Sequence, residues 1–351
     1  MEYTHGGDWA GFLAENGCLP RDFSANTSPF GVPAAVAKAV NSSMLEAGRY
    51  PDPHCRALRR ALGQHHDLPM DWVLCGNGAA DLIYRLALAK QPRRAMVTAP
   101  TFSEYENALA LTGCQVVHHL LREEDGFAVT ERILEDITPG LDLLFLCEPG
   151  NPTGRTTDPA LLLRILEQCA ACGTLLVLDE CFNEFLEDPA VHTLTGQLGK
   201  YGNLLILRAF TKCYGMAGIR LGYALCSDTA FLDKMAASGP PWAVSGPAQA
   251  GGMAALRSTD YLAHLQENTR TQRPLMLLGL TALGCKVIPG EVNYLLFYHE
   301  DHTLADRLAK RGFLLRRCDN YKGLGPGWLR TAIRAPRENL ALLEAMKEVL
   351  G

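Results

Sequence analysis

The sequence predicts an α/β protein in which helices cover both faces of a mostly parallel sheet and a smaller α+β domain follows. Short apolar runs alternate with helical patterns through the middle of the 351-residue chain, and this alternation is typical of a parallel sheet. The pattern changes after about Ser238, where Gly239-Pro240-Pro241 interrupts it. This change predicts a second structural unit in the last third of the chain.

The central region contains the elements of the predicted sheet. A helix is expected over residues 161–172, between two of the strands, because its apolar residues have helical spacing. The predicted strands are residues 96–99, 116–120, 143–147, 175–178, 204–207 and 221–226. Functional residues of such a sheet gather at the carboxyl ends of its strands, so candidate site residues are expected there.

The C-terminal region has a different order of elements. A long helical stretch is predicted over about residues 249–280, a strand over 293–298 and a terminal helix over 338–350. This order indicates a smaller α+β unit.

Composition and charge exclude several classes of protein. A hydrophobic content of 48% and a charged content of 20% are typical of a globular protein, and the net charge of −5 supplies no general attraction for nucleic acid. Neither a membrane span nor a signal peptide is predicted, because no apolar run is long enough and the N-terminus lacks a basic and apolar start. The scattered cysteines, twelve in all, indicate reduced thiols in a cytoplasmic enzyme. A single C-x-x-C at Cys169 and Cys172 has no second ligand pair, so no metal site is predicted.

Lys212 is the most informative residue of the chain. It follows the predicted strand 204–207, within the tract Arg-Ala-Phe-Thr-Lys-Cys-Tyr-Gly-Met-Ala-Gly-Ile-Arg-Leu-Gly-Tyr at positions 208–223. A lysine at the mouth of a sheet can lose hydration and form a Schiff base with an aldehyde. The hydroxyl of Thr211 and the guanidinium of Arg220 suit a phosphate. Together these groups indicate pyridoxal 5′-phosphate (PLP), and the alternative is a surface lysine at a strand end.

Two further polar residues follow predicted strands. Asp179 ends the run 175–178, and a carboxylate there can keep the ring nitrogen of PLP protonated. The alternative is an aspartate that caps the next helix. Asn151, in Asn-Pro-Thr-Gly after the strand 143–147, can donate to the phenolate oxygen of PLP, although these residue types also favour simple turns.

Backbone and aromatic groups complete the candidate cofactor site. Gly78 and Ala79 begin a helical pattern over 82–88, and free N–H groups at a helix start bind phosphate, especially where glycine allows a close approach. Phe102 follows another predicted strand and can stack on a pyridine ring. Glycine turns and core aromatic residues are common, so neither feature is specific alone.

The order of these residues along the chain resembles that of the fold-type I, aspartate-aminotransferase-like PLP enzymes, and the resemblance covers nearly the whole sequence. It implies a seven-stranded, mostly parallel sheet in a large PLP-binding domain over residues 41–238. It also implies a small domain over 239–351, joined by part of an N-terminal arm over 1–40. Finally, it implies a homodimer in which Tyr50 reaches across the interface to the cofactor phosphate. The residues that carry the resemblance are Gly78, Phe102, Asn151, Asp179, Thr211, Lys212 and Arg220.

Within this family, the chain is most similar to the threonine-phosphate decarboxylases of cobalamin synthesis, and the histidinol-phosphate aminotransferases are the second branch. Phe182 favours the first branch, because aminotransferases of this group usually have tyrosine at this position, three residues after Asp179. Phenylalanine cannot donate a hydrogen bond to the PLP phenolate. The matching tracts are residues 5–7, 22–26, 76–78, 144–147, 241–244, 293–296 and 320–321.

Several positions depart from the family pattern. Thr27-Ser28 stands where an asparagine before proline is expected, and Ala209 replaces a serine or threonine near the lysine. Cys181 and Gly150 replace a usual alanine and asparagine. The change at position 209 removes one potential phosphate contact, and the change at 27–28 alters the expected fit of the substrate.

The resemblance implies a substrate with an α-carboxylate and a phosphate monoester, two groups that arginine binds well. Arg330 matches the carboxylate-binding arginine of the family, and Arg316 is the candidate for the substrate phosphate. Arg317 and Arg334 are expected to be surface charges. The predicted substrate-binding residues are His5, Gly7, Asn26, Asn151, Arg316 and Arg330.

The predicted activity is decarboxylation of O-phospho-L-threonine, with Lys212 and Asp179 as the catalytic residues. Three alternatives remain open: a decarboxylase that prefers O-phospho-L-serine, an aminotransferase acting on histidinol phosphate, and a non-catalytic PLP-binding regulatory protein. A single methyl group discriminates weakly between the first two substrates. Sequence motifs do not show which bond at Cα is oriented for cleavage.

Overall fold

The computed structural model describes residues 5–351, and thirteen α-helices and thirteen β-strands occur in this range. The strands are β1 (Arg21–Asp22), β2 (Val73–Gly76), β3 (Arg94–Ala99), β4 (Gln115–Leu120), β5 (Leu143–Cys147), β6 (Leu175–Asp179), β7 (Leu204–Ala209), β8 (Gly222–Leu225), β9 (Lys286–Val287), β10 (Tyr294–Tyr298), β11 (Phe313–Leu314), β12 (Arg316–Arg317) and β13 (Trp328–Ala332). The helices are α1 (Trp9–Asn16), α2 (Ala34–Ser43), α3 (Arg56–His66), α4 (Gly78–Lys90), α5 (Glu104–Ala110), α6 (Ile133–Asp136), α7 (Pro159–Cys172), α8 (Phe210–Cys213), α9 (Thr229–Ala237), α10 (Gly246–Ala255), α11 (Thr259–Ala282), α12 (Leu304–Ala309) and α13 (Pro336–Leu350).

A seven-stranded sheet with the order β2-β8-β7-β6-β5-β3-β4 forms the centre of the molecule. The pairs from β7 to β4 are parallel, whereas β8 is antiparallel to both β7 and β2. The predicted mostly parallel sheet is therefore confirmed, and each of the six predicted strands is present. The sequence prediction missed β2, a four-residue edge strand, because so short a run carries little periodicity.

Both faces of the sheet are covered by apolar side chains. Alternate residues of each central strand enter separate core clusters, as Leu144 and Leu146 of β5 do on one face and Leu143 and Phe145 on the other. Burial on both faces explains why these strands are continuous apolar runs. The polar residues at their carboxyl ends are consequently the first positions where the sheet can contact a ligand.

The second sheet is small and antiparallel, with the order β12-β13-β10-β9. Helices α11, α12 and α13 pack together beside it around the core residues Leu295, Leu308 and Leu342. The N-terminal segment joins this region, because β1 pairs in parallel with β11. Pairing between the two ends of the chain brings residues near position 24 close to β13.

The long helical stretch predicted over residues 249–280 is wrong in one respect: two helices, α10 and α11, are separated at residues 256–258. Helix α10 packs on α2, and Gly252 lies so close to Leu58 and Leu221 that a Cβ would be 2.5 Å from a leucine methyl group. The chain must then turn for α11 to reach the small sheet. The domain boundaries at 40/41 and 238/239 stay a proposal. Because α10 packs on α2, the structure favours a boundary after α10 rather than at 238/239.

None of the helices within residues 5–351 is long and apolar enough to cross a bilayer.

Candidate active site

The candidate site lies where the central strands of the large sheet end. Asp179 is the last residue of β6, and it is paired in register with Cys147 of β5 and Leu207 of β7. Strand β7 continues to Ala209, and the next four residues form the short helix α8, which contains Lys212. The chain order of these strands thus brings the aspartate and the lysine to one edge of the sheet.

Two adjoining cavities occupy this edge. The aspartate cavity is lined by Ala79, Ala80, Phe102, Tyr105, Cys147, Asn151, Asp179, Cys181, Phe182, Ala209, Thr211, Lys212 and Arg220. The arginine cavity is lined by His5, Gly6, Ser24, Ala25, Asn26, Phe102, Asn151, Phe182, Lys212, Arg316, Tyr321 and Arg330. Lys212 lines both cavities, and it is therefore placed to react with groups bound in either one.

Asp179 is buried, and both of its carboxylate oxygens accept hydrogen bonds. The backbone N–H of Cys181 donates to Oδ1 over 3.0 Å, and the hydroxyl of Tyr105 donates to Oδ2 over 2.6 Å. Each carboxylate oxygen can accept more than one hydrogen bond, so a further donor in the cavity can still bind. Two fixed donors hold the carboxylate in one orientation.

An anion cradle lies on the other side of the aspartate cavity. Helix α4 begins at Gly78, and the following residues line the cavity near the hydroxyl of Thr211 and the guanidinium of Arg220. Gly78 has a φ of +79°, and a Cβ at this position would lie 2.6 Å from Nη2 of Arg220. Only glycine therefore lets Arg220 approach the helix N-terminus, where backbone N–H groups and a cation together suit a phosphate.

The arginine cavity is built on β12 and β13. Arg316 and Arg330 are directly opposite each other in this antiparallel pair, so their side chains share one face of the small sheet. Both residues are buried, and within residues 5–351 neither forms an ion pair with a carboxylate. Like charges in opposed positions repel, and bound anions would relieve this repulsion.

Arg330 is held in place by neutral partners. Its Nη1 donates to Oδ1 of Asn151, and its Nη2 donates to the carbonyl oxygen of Ser24 over 2.8 Å. Its Nε is buried and has no protein partner in the described part of the chain. Since guanidinium carries five N–H donors, several remain for a ligand.

Three polar side chains surround Arg316. Its Nη2 donates to Oδ1 of Asn320 over 2.9 Å. The side chain of Asn26 is 2% exposed, and neither its oxygen nor its nitrogen has a hydrogen-bond partner within residues 5–351. Burying an amide without partners is costly, which indicates that a polar ligand contacts Asn26. His5 lines the same cavity, and its Nε2 is 2.8 Å from Oε1 of Glu104.

The electrostatic field of the two cavities is positive. Their lining residues include the cations Lys212, Arg220, Arg316 and Arg330, and among the lining residues within 5–351 Asp179 is the one carboxylate. Burial and then the charges of Arg330 and Arg220 lower the pKa of Lys212 to about 8. At pH 7 about a tenth of this amine is therefore unprotonated and nucleophilic, several hundred times the fraction for an ordinary lysine.

The thiols beside the site have the opposite character. Burial raises the pKa of Cys181 well above its ordinary value, and burial also raises the pKa of Cys147. Both thiols stay protonated at neutral pH, so neither is an activated nucleophile. This supports the interpretation of the cysteines here as small space-filling residues.

The lowered pKa of Lys212 predicts how the free protein takes up PLP. Because the neutral amine attacks the aldehyde, the association rate constant should rise about tenfold per pH unit below pH 8 and level off above it. An ordinary lysine would give a rise that continues to about pH 10. Stopped-flow absorbance between pH 6.5 and 10 measures the profile. Arg330→Leu, which removes a neighbouring cation, should move the inflection to higher pH, and an inflection near pH 10 in the unaltered protein would contradict this prediction.

The structure brings together most of the predicted site residues but leaves three outside the cavity linings. Gly78 lies behind Arg220, and Gly7 lies beside the arginine cavity with its N–H bonded to Oγ of Ser24 over 2.7 Å. Tyr50 is 80% exposed and stacks on Trp242, away from both cavities. Arg317 and Arg334 also lie outside, where they pair with Asp306 and Glu338.

Sequence reasoning missed several residues of the site. Tyr105 bonds Asp179, and Tyr294 donates to the carbonyl oxygen of Gly150 and so ties the Asn151 loop to the small sheet. Glu104 accepts hydrogen bonds from Tyr84, Asn107 and His5. The only available signal was that Tyr105 follows Phe102 at helical spacing, which also fits an ordinary core residue.

The architecture is that of the fold-type I PLP-dependent enzymes, as the sequence predicts. The profile of the aminotransferase class I and II family matches residues 21–346, and the chain belongs to this family. Its cofactor is PLP, and the residues present fit it. Gly78 leaves a cradle that a Cβ would fill, and Arg220 makes this cradle cationic. A lysine with a lowered pKa and a buried carboxylate line the same cavity.

Relatives with two different activities are similar over most of their length. The threonine-phosphate decarboxylase of Salmonella typhimurium is 39% identical, over 94% of this chain and 91% of that protein. The histidinol-phosphate aminotransferase of Symbiobacterium thermophilum is 34% identical, over 93% of this chain and 89% of that one. The crystal structure of the histidinol-phosphate aminotransferase from Clostridium acetobutylicum has a TM-score of 0.88 and 26% identity, with coverage of 93% and 98%.

Proposed function

We propose that this protein decarboxylates O-phospho-L-threonine to (R)-1-aminopropan-2-yl phosphate, the linker of the cobalamin nucleotide loop. The observation that carries the proposal is the opposed pair Arg316 and Arg330, buried beside Lys212 without a carboxylate partner. Such a pair suits a substrate with two anionic ends. The greater identity to a decarboxylase than to an aminotransferase supports the choice of reaction. Its cysteines, all unpaired, support a cytoplasmic location, which cell fractionation can test.

We assign the cofactor contacts from the lining of the aspartate cavity. The N–H groups of Ala79 and Ala80, the hydroxyl of Thr211 and the guanidinium of Arg220 would hold the phosphate. Asp179 would accept a hydrogen bond from the protonated ring nitrogen, and Phe102 would stack on the ring. Asn151 would donate its amide N–H to the phenolate oxygen, since its Oδ1 already accepts from Arg330.

Substrate binding is assigned to the arginine cavity. Arg330 would bind the α-carboxylate, and Arg316 would bind the phosphate with the amide of Asn26 and with His5. Anchoring both ends limits rotation of the substrate about its Cα bonds, so binding energy from the remote phosphate would orient the reacting bond.

The reaction exchanges one group at Cα for another. The bond between Cα and the carboxylate breaks, carbon dioxide leaves, and a proton takes its place. When bound, PLP supplies an electron sink for the pair of electrons that this bond releases. Lys212 lies at the junction of the two cavities, so its Nζ can hold a proton and deliver it to Cα. Asp179 keeps a negative charge beside the ring nitrogen.

Phe182 supports decarboxylation over amino transfer. The Nζ of Lys212 lies 5.7 Å from the centre of its ring, and Tyr294 packs against the same ring edge-on. A tyrosine here would place a hydroxyl close to the lysine, whereas phenylalanine leaves the phenolate contact to Asn151.

Two alternative activities are each favoured by one observation. The similarity to a histidinol-phosphate aminotransferase keeps amino transfer open. The altered segment Thr27-Ser28 keeps O-phospho-L-serine open, because the N–H of Ser28 donates to the carbonyl oxygen of Lys212 over 2.9 Å and the segment therefore adjoins the site.

The test is release of carbon dioxide from O-phospho-L-threonine and O-phospho-L-serine, measured side by side on the PLP-loaded protein without any oxo acid. We expect release from the threonine ester, with a preference over the serine ester of about 10- to 200-fold for one methyl group. Release with the opposite preference would support the serine alternative. No release, but amino transfer from histidinol phosphate once 2-oxoglutarate is added, would overturn the decarboxylase proposal.

We also propose that the protein is a homodimer in which Tyr50 completes the partner's cofactor site. Tyr50 and Trp242 form an exposed aromatic stack with ring centres 4.5 Å apart, and Met44 and Leu45 are exposed nearby in sequence. A second copy of the chain would cover this apolar surface.

The dimer proposal predicts two results. Sedimentation velocity should give twice the chain mass of 38.3 kDa. Tyr50→Phe should weaken PLP binding about tenfold through loss of one charge-assisted hydrogen bond, without changing this mass. A monomer that binds PLP fully, or a variant with unaltered PLP affinity, would contradict the proposal.

A further inference from the structure

Tyr105 is a fully buried tyrosine that touches the aspartate cavity, and the proposed function gives it no part in binding the cofactor or the substrate. Its hydroxyl donates to Oδ2 of Asp179 over 2.6 Å, and the two residues are 74 positions apart in the chain. Its ring stacks on Phe145 of β5, with centres 4.6 Å apart and an angle of 7° between the planes. The contact thus joins a rigid part of the core to the carboxylate at the end of β6.

The same short segment of chain shapes two sides of the cofactor site. Phe102 lines both cavities, and Tyr105 follows it at the start of α5, where the two rings pack edge-on with centres 5.6 Å apart. A movement of this segment would therefore shift the proposed ring-stacking residue and the donor to Asp179 together.

We propose that Tyr105 is a positioning residue that holds Asp179 as an oriented carboxylate, so that the acidic proton stays on the ring nitrogen of PLP. A hydrogen bond to the charged form of a carboxyl group favours that form. The N–H of Cys181 donates to Oδ1 and the hydroxyl of Tyr105 donates to Oδ2, so the carboxylate has a fixed orientation and keeps lone pairs for the ring N–H.

The hydroxyl of Tyr105 can only act as the donor in this pair. Burial, followed by the nearby charge of Asp179, raises the pKa of Tyr105 well above its ordinary value. The phenol therefore stays protonated near neutral pH. The inference rests on PLP as the cofactor and on the proposed role of Asp179, and it does not depend on which substrate the protein uses.

The test compares binding of PLP and of 1-deaza-PLP, in which a C–H group replaces the ring nitrogen, to the full-length apoprotein. We expect Tyr105→Phe to weaken PLP binding about ten- to hundredfold, the usual effect of losing a hydrogen bond to a charged group. Binding of 1-deaza-PLP should change less than threefold, because this analogue has no ring N–H group that could donate a hydrogen bond to Asp179. The pH at which the absorption of bound PLP changes should also shift.

Tyr223→Phe is the matched control. Tyr223 is also buried, its hydroxyl contacts Nε2 of His66 at 2.9 Å, and it lines neither cavity, so both affinities should equal those of the unaltered protein. Equal losses for PLP and 1-deaza-PLP in Tyr105→Phe would show a merely structural role and overturn the inference, and so would unaltered PLP binding. If the phosphorylated amino acids are not turned over while Tyr105→Phe still weakens PLP binding more than 1-deaza-PLP binding, the inference stands and only the proposed substrate is wrong.

Discussion

Replacement of Lys212 by alanine is expected to lower kcat at least about a thousandfold, the largest effect of any single substitution in this chain. Lys212 is the nucleophilic amine that lies in both cavities, and its lowered pKa keeps it reactive near neutral pH. Under the proposed mechanism, its removal would eliminate both the covalent attachment of the cofactor and the proton donor at Cα. Among the lining residues that the structure describes, from 5 to 351, no other amine can replace it.

The measurement is carbon dioxide release, together with borohydride reduction and mass spectrometry of the peptide that contains residue 212. Lys212→Arg keeps the positive charge but should be equally inactive, because guanidinium does not lose its proton to become a nucleophile. Lys234→Ala, in α9 and outside both cavities, is the control with unaltered activity. If Lys212→Ala keeps activity within tenfold of the unaltered protein, the assignment of Lys212 as the catalytic lysine is wrong.

Replacement of Arg330 by leucine is expected to lower kcat/KM about 100- to 1000-fold, which corresponds to about 3–4 kcal/mol. Arg330 is 5% exposed, so a carboxylate bound to it would be left unpaired in a water-poor cavity once the arginine is gone. The substitution also frees Oδ1 of Asn151 and the carbonyl oxygen of Ser24. These two losses reinforce the effect on substrate orientation.

Arg316→Leu separates the two anion sites. Binding of O-phospho-L-threonine and of L-threonine is followed by the absorption change of the bound cofactor. Arg330→Leu should weaken both ligands, whereas Arg316→Leu should weaken only the phosphorylated one. Arg317→Leu is a matched control, because this neighbouring arginine is exposed and pairs with Asp306. If Arg316→Leu weakens L-threonine as much as its phosphate ester, the assignment of the two arginines is wrong.

The sequence was sufficient to predict the central sheet because strands that are buried on both faces consist of continuous apolar residues. Strand β5 has the predicted bounds, and β6 and β7 begin at the predicted residues but extend further, to Asp179 and Ala209. The prediction failed at β2, which is too short to show a period, and at the break between α10 and α11. That break depends on packing, since α10 must lie against α2 while α11 reaches the other sheet.

The candidate site divides in the same way. Lys212, Asp179 and Asn151 were found because each follows an apolar run, and strand ends of a parallel sheet meet at one edge. Tyr105 was not found, because no local pattern distinguishes a tyrosine that bonds a carboxylate from one that fills a core. Glu104 was missed for a similar reason: it contacts His5, which is 99 positions away.

The sequence by itself determined the order of strands and helices, the residue types at the strand ends and hence the class of cofactor. These properties depend on local periodicity and on chemistry that single residues carry. The tertiary structure alone decided that Arg316 is opposite Arg330, that Tyr105 bonds Asp179 and that the buried Asn26 side chain has no partner within residues 5–351. Such contacts depend on strand register and on packing between distant segments, which act only once the chain has closed into its fold.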